Sequence, residues 1–309
     1  MLTSYLSKRL SSIFSTAKMA TQLSDIPTVA QLYQLKKLSP LATETSTSVT
    51  PSDFLNNKVS IFRGNITRLQ VDAIVNAANK YLAGGGGVDG AIHAAAGPGL
   101  LQECSTLGGC KTGSAKITGA YELPCKKVIH AVGPVYSRLD REKSAALLAS
   151  CYTTSLQLAV DNDCKSVVFS GLSTGVYGYP SQDAASVATK AVRGFLEGAS
   201  GDKIDRVIFC TFEVKDVNAY NDWVPQAFPP AEQDLKGGDQ ANESKQAEDS
   251  DKAEKAGVVG AGQTAISGAS ENLSESHTTV DDLPEVPKAE PSTEDGPEPK
   301  RQKQQPSDP

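Results

Sequence analysis

A chain of 309 residues has room for one or two domains, but its apolar residues are unevenly spread. From Ala231 onward there is no Phe, Tyr or Trp, and 18 acids face 8 bases, so the net charge of −6 belongs to this tail and the preceding body carries +4. That balance gives the body no basic stripe for nucleic acid, though it suits a small anionic ligand, and no apolar run reaches the ~18 residues of a membrane span.

Six cysteines are scattered without a CxxC pair. They read as free, mostly buried thiols in a reducing compartment, and no zinc site is expected from their spacing or that of the histidines. Residues 1–24 contain no acid, carry Lys8, Arg9 and Lys18, and set Leu2, Leu6, Leu10 and Ile13 at helical spacing. This matches a mitochondrial presequence; the alternatives are an unstructured leader or a start at Met19. Within residues 25–57, residues 28–38 read as a short amphipathic helix and residues 39–52 as a Ser/Thr/Pro-rich linker.

From Lys58 short apolar runs alternate with helical segments. The expected strands are Val59–Phe62, Asp72–Val75, Ala115–Thr118, Lys127–Val132, Ser166–Gly171 and Arg206–Phe212. The expected helices are Val88–Ala96, Gly99–Leu107, Glu142–Val160, Ser181–Glu197 and Asp216–Val224. This alternation predicts a layered α/β domain over 58–230 with a largely parallel sheet. Ligands of such sheets bind in a crevice at the carboxyl ends of the strands. Residues 231–309 are low in complexity and are expected to be disordered, because they cannot bury enough apolar area to offset the entropy of ordering. The cluster Pro299–Lys303 weakly suggests nuclear import, against a merely solvated run. Mitochondrion and nucleus or cytoplasm thus both stay open as locations.

The body is organised around AIVNAANKYLAGGGGVDGAIHAAAGPG, Ala73 to Gly99. A buried strand is followed by Asn76 and Asn79, four glycines, and a helix expected to begin near Val88. Four consecutive glycines are costly to order. A glycine-lined loop entering a helix N-terminus makes a cradle for phosphate or pyrophosphate. Asp89 and His93 stand four apart and share one helix face. A flexible turn is the plainer alternative. Gly85, Gly87 and Gly90 spell a dinucleotide fingerprint, but several residues separate them from the strand and no acid lies about 20 residues on, so a Rossmann site is rejected.

A second loop reads Gly171-Leu-Ser173-Thr174-Gly175-Val176-Tyr177. It matches the nucleophile-elbow pattern, yet Pro180 opens its helix too late and the only later histidine is His277, in the tail. It is read instead as a second anion loop, with Tyr177 as a flat wall for a sugar. His130, at the end of an apolar strand, reads as a core histidine.

Six segments together resemble the macrodomain family, in particular its MacroD-type ADP-ribosyl hydrolase branch. They are RGNIT (63–67), VDAIVNAAN (71–79), GGGGVDGAIHAAAG (84–97), CKTGSAKIT (110–118), VIHAVGP (128–134) and STGVYGYP (173–180). The resemblance runs from about Ile61 to Phe228. It implies a three-layer α/β/α sandwich with a mixed, largely parallel sheet, no cofactor and no metal. It further implies removal of mono-ADP-ribose from acidic side chains and deacylation of O-acetyl-ADP-ribose. Carried over by motif, Asp89, His93 and Asn79 are the catalytic residues. Asn76 joins Asn79 at the distal ribose, while Gly86, Gly87 and Val88 line the pyrophosphate. Ser173, Thr174, Gly175, Val176 and Tyr177 clamp phosphates and ribose, Phe212 stacks on adenine, and Asn65 with Ile66 meets the base. The family usually has Asp at the place of Asn65, and the expectation is that Asn65 still accepts from adenine through its carbonyl oxygen, without charge. ADP-ribose and ADP-ribosylated proteins are the expected partners of a monomer that needs neither nucleic acid nor membrane. The rival readings are an ADP-ribose-binding reader without catalysis, an ADP-ribose 1″-phosphate phosphatase and an NAD-dependent oxidoreductase.

Overall fold

The computed structural model describes residues 20–41 and 49–236. The leader expected at 1–24 falls outside these residues up to 19, as does the expected acidic tail beyond 236. In chain order the elements are β1 (Thr21–Gln22), α1 (Val29–Gln34), α2 (Asp53–Asn56), β2 (Val59–Arg63), β3 (Leu69–Gln70), β4 (Ala73–Ala77), α3 (Gly87–Ala96) and α4 (Pro98–Thr106). Then follow β5 (Ser114–Gly119), β6 (Lys127–Val132), α5 (Arg141–Asp161), β7 (Ser166–Phe169), α6 (Ser181–Glu197), β8 (Arg206–Thr211), α7 (Val214–Ala227) and α8 (Glu232–Leu235).

Six strands form one sheet in the order β2-β8-β7-β4-β6-β5. All neighbours run parallel except β5, which is antiparallel to β6. The sheet is therefore mixed and largely parallel, as expected. Parallel strands are buried on both faces, which is why they read as apolar runs without alternation. The two faces can nonetheless be assigned by parity. Val75, Ile129, Ala131, Val167, Phe169, Val207 and Phe209 pack with residues of α1, α5, α6 and α7. Ile74, Val128, Val132, Val168 and Ile208 pack with Ile92 of α3 and Leu100 and Cys104 of α4. Two cores on opposite faces of one sheet make the three layers. Each fully buried Val, Ile or Leu contributes about 1.5–3 kcal/mol of transfer free energy. Among the described residues no helix is long and apolar enough to cross a membrane.

The segment before the α/β domain expected over 58–230, read as a short helix and linker, packs onto that domain. Thr21 and Gln22 pair in parallel with Leu69 and Gln70. Val29, Ala30 and Tyr33 of α1 are core residues, and Tyr33 donates its hydroxyl hydrogen to Phe228 O at 3.0 Å. The segment read as tail from Ala231 begins with an ordered turn, α8. Asp234 there is fully buried and accepts from Asn56 Nδ2 at 2.7 Å and from Ala231 N at 2.8 Å. A carboxylate buried in this way needs such donors, so residues 231–236 belong to the body and the tail boundary moves beyond them.

Candidate active site

The carboxyl ends of the parallel strands β2, β8, β7, β4 and β6 lie along one edge of the sheet, where a crevice is expected, and the loops that carry the predicted site residues follow them. Asp89 lies in the first turn of α3 and is 5% exposed. Helix α3 starts at Gly87, one residue before the expected Val88, with Gly86 as its extended N-cap. An acid here faces the unpaired N–H groups and the positive end of the helix dipole. A Cβ built on Gly86 or Gly87 meets nothing within 4 Å, so both backbones open onto free space. Gly90 does the opposite: a Cβ there would overlap the Gly85 carbonyl oxygen, which packs directly on the helix.

Asp89 Oδ1 accepts from Asn76 Nδ2 at 2.7 Å. His93 Nε2 lies 3.4 Å from the same oxygen without hydrogen-bond geometry, and it is buried with no other partner. Asp89 Oδ2 lies beside Gly85, under the glycine loop. Asn76 is fully buried, at the end of β4. Its second N–H points at His130 Nδ1, 3.2 Å away, and its Oδ1 is buried without a partner. Asn79 secures the loop: its Nδ2 donates to Gly84 O at 2.7 Å and its Oδ1 accepts from Tyr81 N at 3.0 Å. One Asn79 N–H remains uncommitted. Sequence reasoning placed both asparagines on the ribose; the structure places Asn76 beneath Asp89 and spends most of Asn79 on the loop.

The second loop follows β7. Ser173 adopts a left-handed backbone with φ of 65°, and its buried Oγ has no partner. It fits because residue 133, at the end of β6, is glycine: a Cβ there would overlap Ser173 Oγ. Tyr179 N to Ser173 O and Gly178 N to Gly175 O, each 2.9 Å, close the loop on itself. Tyr136 N to Tyr177 O at 2.9 Å ties it to the segment after β6. Thr174 and Tyr177 are half-buried, and Gly175 and Val176 are exposed at the rim.

At the far end stand Phe212 and Asn65, after the neighbouring strands β8 and β2, with Ile66 buried beside them. Phe212 is 77% exposed, an open aromatic face. Asn65 corrects one expectation. Its Oδ1 accepts from Thr67 N at 2.9 Å and Thr67 Oγ1 at 2.8 Å, capping the turn Ile66–Arg68. Both lone pairs are committed, so Asn65 offers the crevice N–H donors rather than its carbonyl oxygen.

His93, Cys104 and His130 hold ligand-type atoms within 4.8 Å of one another. A metal would need the thiolate and bare ring nitrogens. The Cys104 thiol is instead pushed up to about 11, by burial first and then by Glu103 and Asp89. The proton of His130 sits on the nitrogen that faces the cluster, because its other nitrogen accepts from Asn76. Within the trio, Cys104 and His130 thus meet as members of a hydrogen-bonding cluster.

A family profile described as Macro domain matches residues 75–188, and the ADP-ribose glycohydrolase MACROD1 of Rattus norvegicus is 52% identical over 177 residues, 57% of this chain and 68% of its own length. The chain belongs to the macrodomain family. This macrodomain is also 49% identical over 207 residues to the ADP-ribose glycohydrolase MACROD2 of Xenopus laevis, covering 67% of this chain and 49% of that protein. It therefore spans about half the length of that relative. Among solved structures, the Trypanosoma brucei macrodomain in complex with ADP-ribose superposes with a TM-score of 0.55 at 38% identity, covering 69% of this chain and 82% of that chain.

Proposed function

We propose that this macrodomain is a hydrolase of ADP-ribosyl esters, removing ADP-ribose from mono-ADP-ribosylated acidic side chains and deacylating O-acetyl-ADP-ribose. One observation carries the reading: a nearly buried carboxylate, Asp89, lies at a helix N-terminus under an open glycine cradle. The relatives named ADP-ribose glycohydrolase and the ADP-ribose complex of the Trypanosoma brucei macrodomain supply the substrate class. The pyrophosphate lies on Gly86, Gly87 and Val88, where backbone N–H groups and the helix dipole favour an anion. Ser173 Oγ and the Thr174–Tyr177 backbone close over it. Phe212 stacks on the base.

At the distal ribose, Asn76 Oδ1 and the remaining Asn79 N–H meet the hydroxyls. An acceptor left unpaired in the interior costs about 1–3 kcal/mol, and a ribose hydroxyl relieves that cost at Asn76. Asp89 uses Oδ2 to hold the attacking water, its Oδ1 being taken by Asn76, and His93 packs behind it. The scissile bond is an acyl ester to ribose, so a placed water and a nearby carboxylate suffice as nucleophile and base or orienter. The protein acts as a monomer and needs neither nucleic acid nor membrane.

The test is release of ADP-ribose from a protein mono-ADP-ribosylated on glutamate, comparing the intact chain with Asp89→Ala. A rate lower by ~100-fold in the variant, the usual share of an acid–base group, supports the reading. Tight binding of ADP-ribose with no release by the intact chain would make the protein a reader instead.

A further inference from the structure

Asn76 and His130 are register partners across the parallel strands β4 and β6. Both side chains point to the α3–α4 face, by the same parity that sends Ile74, Val128 and Val132 there. His130 is fully buried in a strand whose other residues are apolar apart from Lys127. A buried imidazole must find partners at both nitrogens, and this one does.

The hydrogen bonds are assigned from the network they form. The Asp89 carboxylate can only accept, so the Asn76 group 2.7 Å from it is the NH2 and not the carbonyl. The second hydrogen of that NH2 points at His130 Nδ1 at 3.2 Å, so Nδ1 is bare and the ring proton is on Nε2. Nε2 then donates to Thr118 Oγ1 at 3.0 Å, with Cys104 Sγ at 3.5 Å. Thr118 passes its own hydrogen to Gly119 O at 3.0 Å, which ends the chain on the backbone.

We propose that His130 is a positioning residue for the hydrolysis: as its Nε2–H tautomer it locks the Asn76 amide in the orientation that presents an N–H to Asp89, and so aims the carboxylate at the water. This rests on the reading of Asp89 given above. The lock works through exclusion of the alternative. With the Asn76 amide reversed, its Oδ1 faces the Asp89 carboxylate and the bare Nδ1 together, two acceptor–acceptor contacts in a buried site. With the proton moved to Nδ1, two N–H groups face each other. Burial, and then His93, hold the ring's proton affinity down to about 4, so the accepting state of Nδ1 persists at neutral pH. A ring that only filled space could be replaced by any group of similar size.

The experiment uses the full chain in two arms. First, 15N NMR of the histidine rings and of the coupling between Asn76 Nδ2 and His130 Nδ1 reads the assignment directly. An Nε2–H ring with a detectable coupling supports it; an Nδ1–H or doubly protonated ring at pH 7 overturns it. Second, His130→Asn keeps an acceptor at the Nδ1 position, whereas His130→Gln moves its amide out to the Nε2 position. The glutamine variant should release ADP-ribose ~10-fold or more slowly, as expected for a misaimed group, with its affinity for ADP-ribose within about threefold of wild type. The asparagine variant should recover most of the rate. Equal rates for the two variants, or a loss shared equally by rate and affinity, would show a merely structural role. An intact chain that releases nothing sinks the hydrolase reading, and with it the catalytic purpose of His130, while the NMR arm still reports on the hydrogen bonds.

Discussion

Gly90→Ala is the sharpest single test of the glycine cradle. In an ordinary helix interior this change stabilises by about 1 kcal/mol, because glycine is the poorer helix former. Gly194, in α6, is such a place: a Cβ there meets nothing within 4 Å, and Gly194→Ala should raise the unfolding midpoint. At Gly90 the new methyl would overlap the Gly85 carbonyl oxygen, a backbone atom that no rotamer change can remove. Restoring an ordinary contact of about 3.5 Å requires the loop to retreat by roughly 1 Å. The retreat shifts Gly85, which lies beside Asp89 Oδ2, and pulls Gly84 O away from Asn79 Nδ2, the hydrogen bond that secures the loop. A displacement of that size at a reacting centre costs ~100-fold in rate. The measurements are single-turnover release from a glutamate-linked substrate, ADP-ribose affinity by calorimetry, and thermal unfolding of both variants. Gly90→Ala should fold, bind weakly and turn over ~100-fold more slowly, while Gly194→Ala is unchanged in activity. Wild-type affinity and rate in Gly90→Ala would refute the close approach of loop and helix as the source of the geometry.

Three further outcomes are expected. An unfolded histidine takes its proton near 6.5 and the native His130 only near 4, so between these values the unfolded chain binds a proton that the native chain lacks. Stability therefore falls as pH drops through this window, by up to about 3 kcal/mol, and urea titrations at several pH values should show His130→Gln losing that slope. Asn65→Asp keeps one oxygen for capping Thr67 and turns a charged acceptor to the crevice, so the affinity for ADP-ribose should rise by roughly fivefold; calorimetry showing no change would place the base elsewhere. Asp234→Ala strands one N–H of the buried Asn56 amide, whose other N–H goes to Pro229 O, together with the Ala231 N–H, and should lower stability by about 1–3 kcal/mol, as should a chain ended at Pro230; an unshifted unfolding midpoint in either would return α8 to the tail.

The strand–helix alternation was readable because each element carries its own signal. Ile74–Val75, Val128–Ile129 and Val167–Phe169 are apolar runs buried on both faces, and all six expected sheet strands exist within two residues of their observed ends. The cradle was readable for a similar reason, since four glycines followed by Asp89 and His93 are contiguous in the chain. What escaped was single side-chain contacts, some between distant segments and one within a turn. His130 read as a core histidine because nothing local shows that β6 lies beside β4; the order β2-β8-β7-β4-β6-β5 is a property of the sheet. A polar residue at a core parity in an apolar strand was the available signal, since such a group must be paired. Asn65 was misjudged because its partner, Thr67, was overlooked: Asn followed two residues later by Thr at a turn is a capping pattern. The tail boundary failed because composition averages over a segment, whereas Asp234 is held by single donors from Asn56 and Ala231.

The omission of His130 has a physical cause that bears on how the site works. Asp89, Asn76, His130 and Thr118 form a line of hydrogen bonds that runs from the crevice through β4 and β6 to the edge strand β5. On the reading proposed above, each member directs the next, and the orientation of the carboxylate is set three members of the line away from it. Preorganisation of this kind requires that side chains from separate strands meet in register. The residue proposed to carry the chemistry is therefore visible in the chain as a motif, while the residues proposed to aim it become visible only once the sheet is assembled.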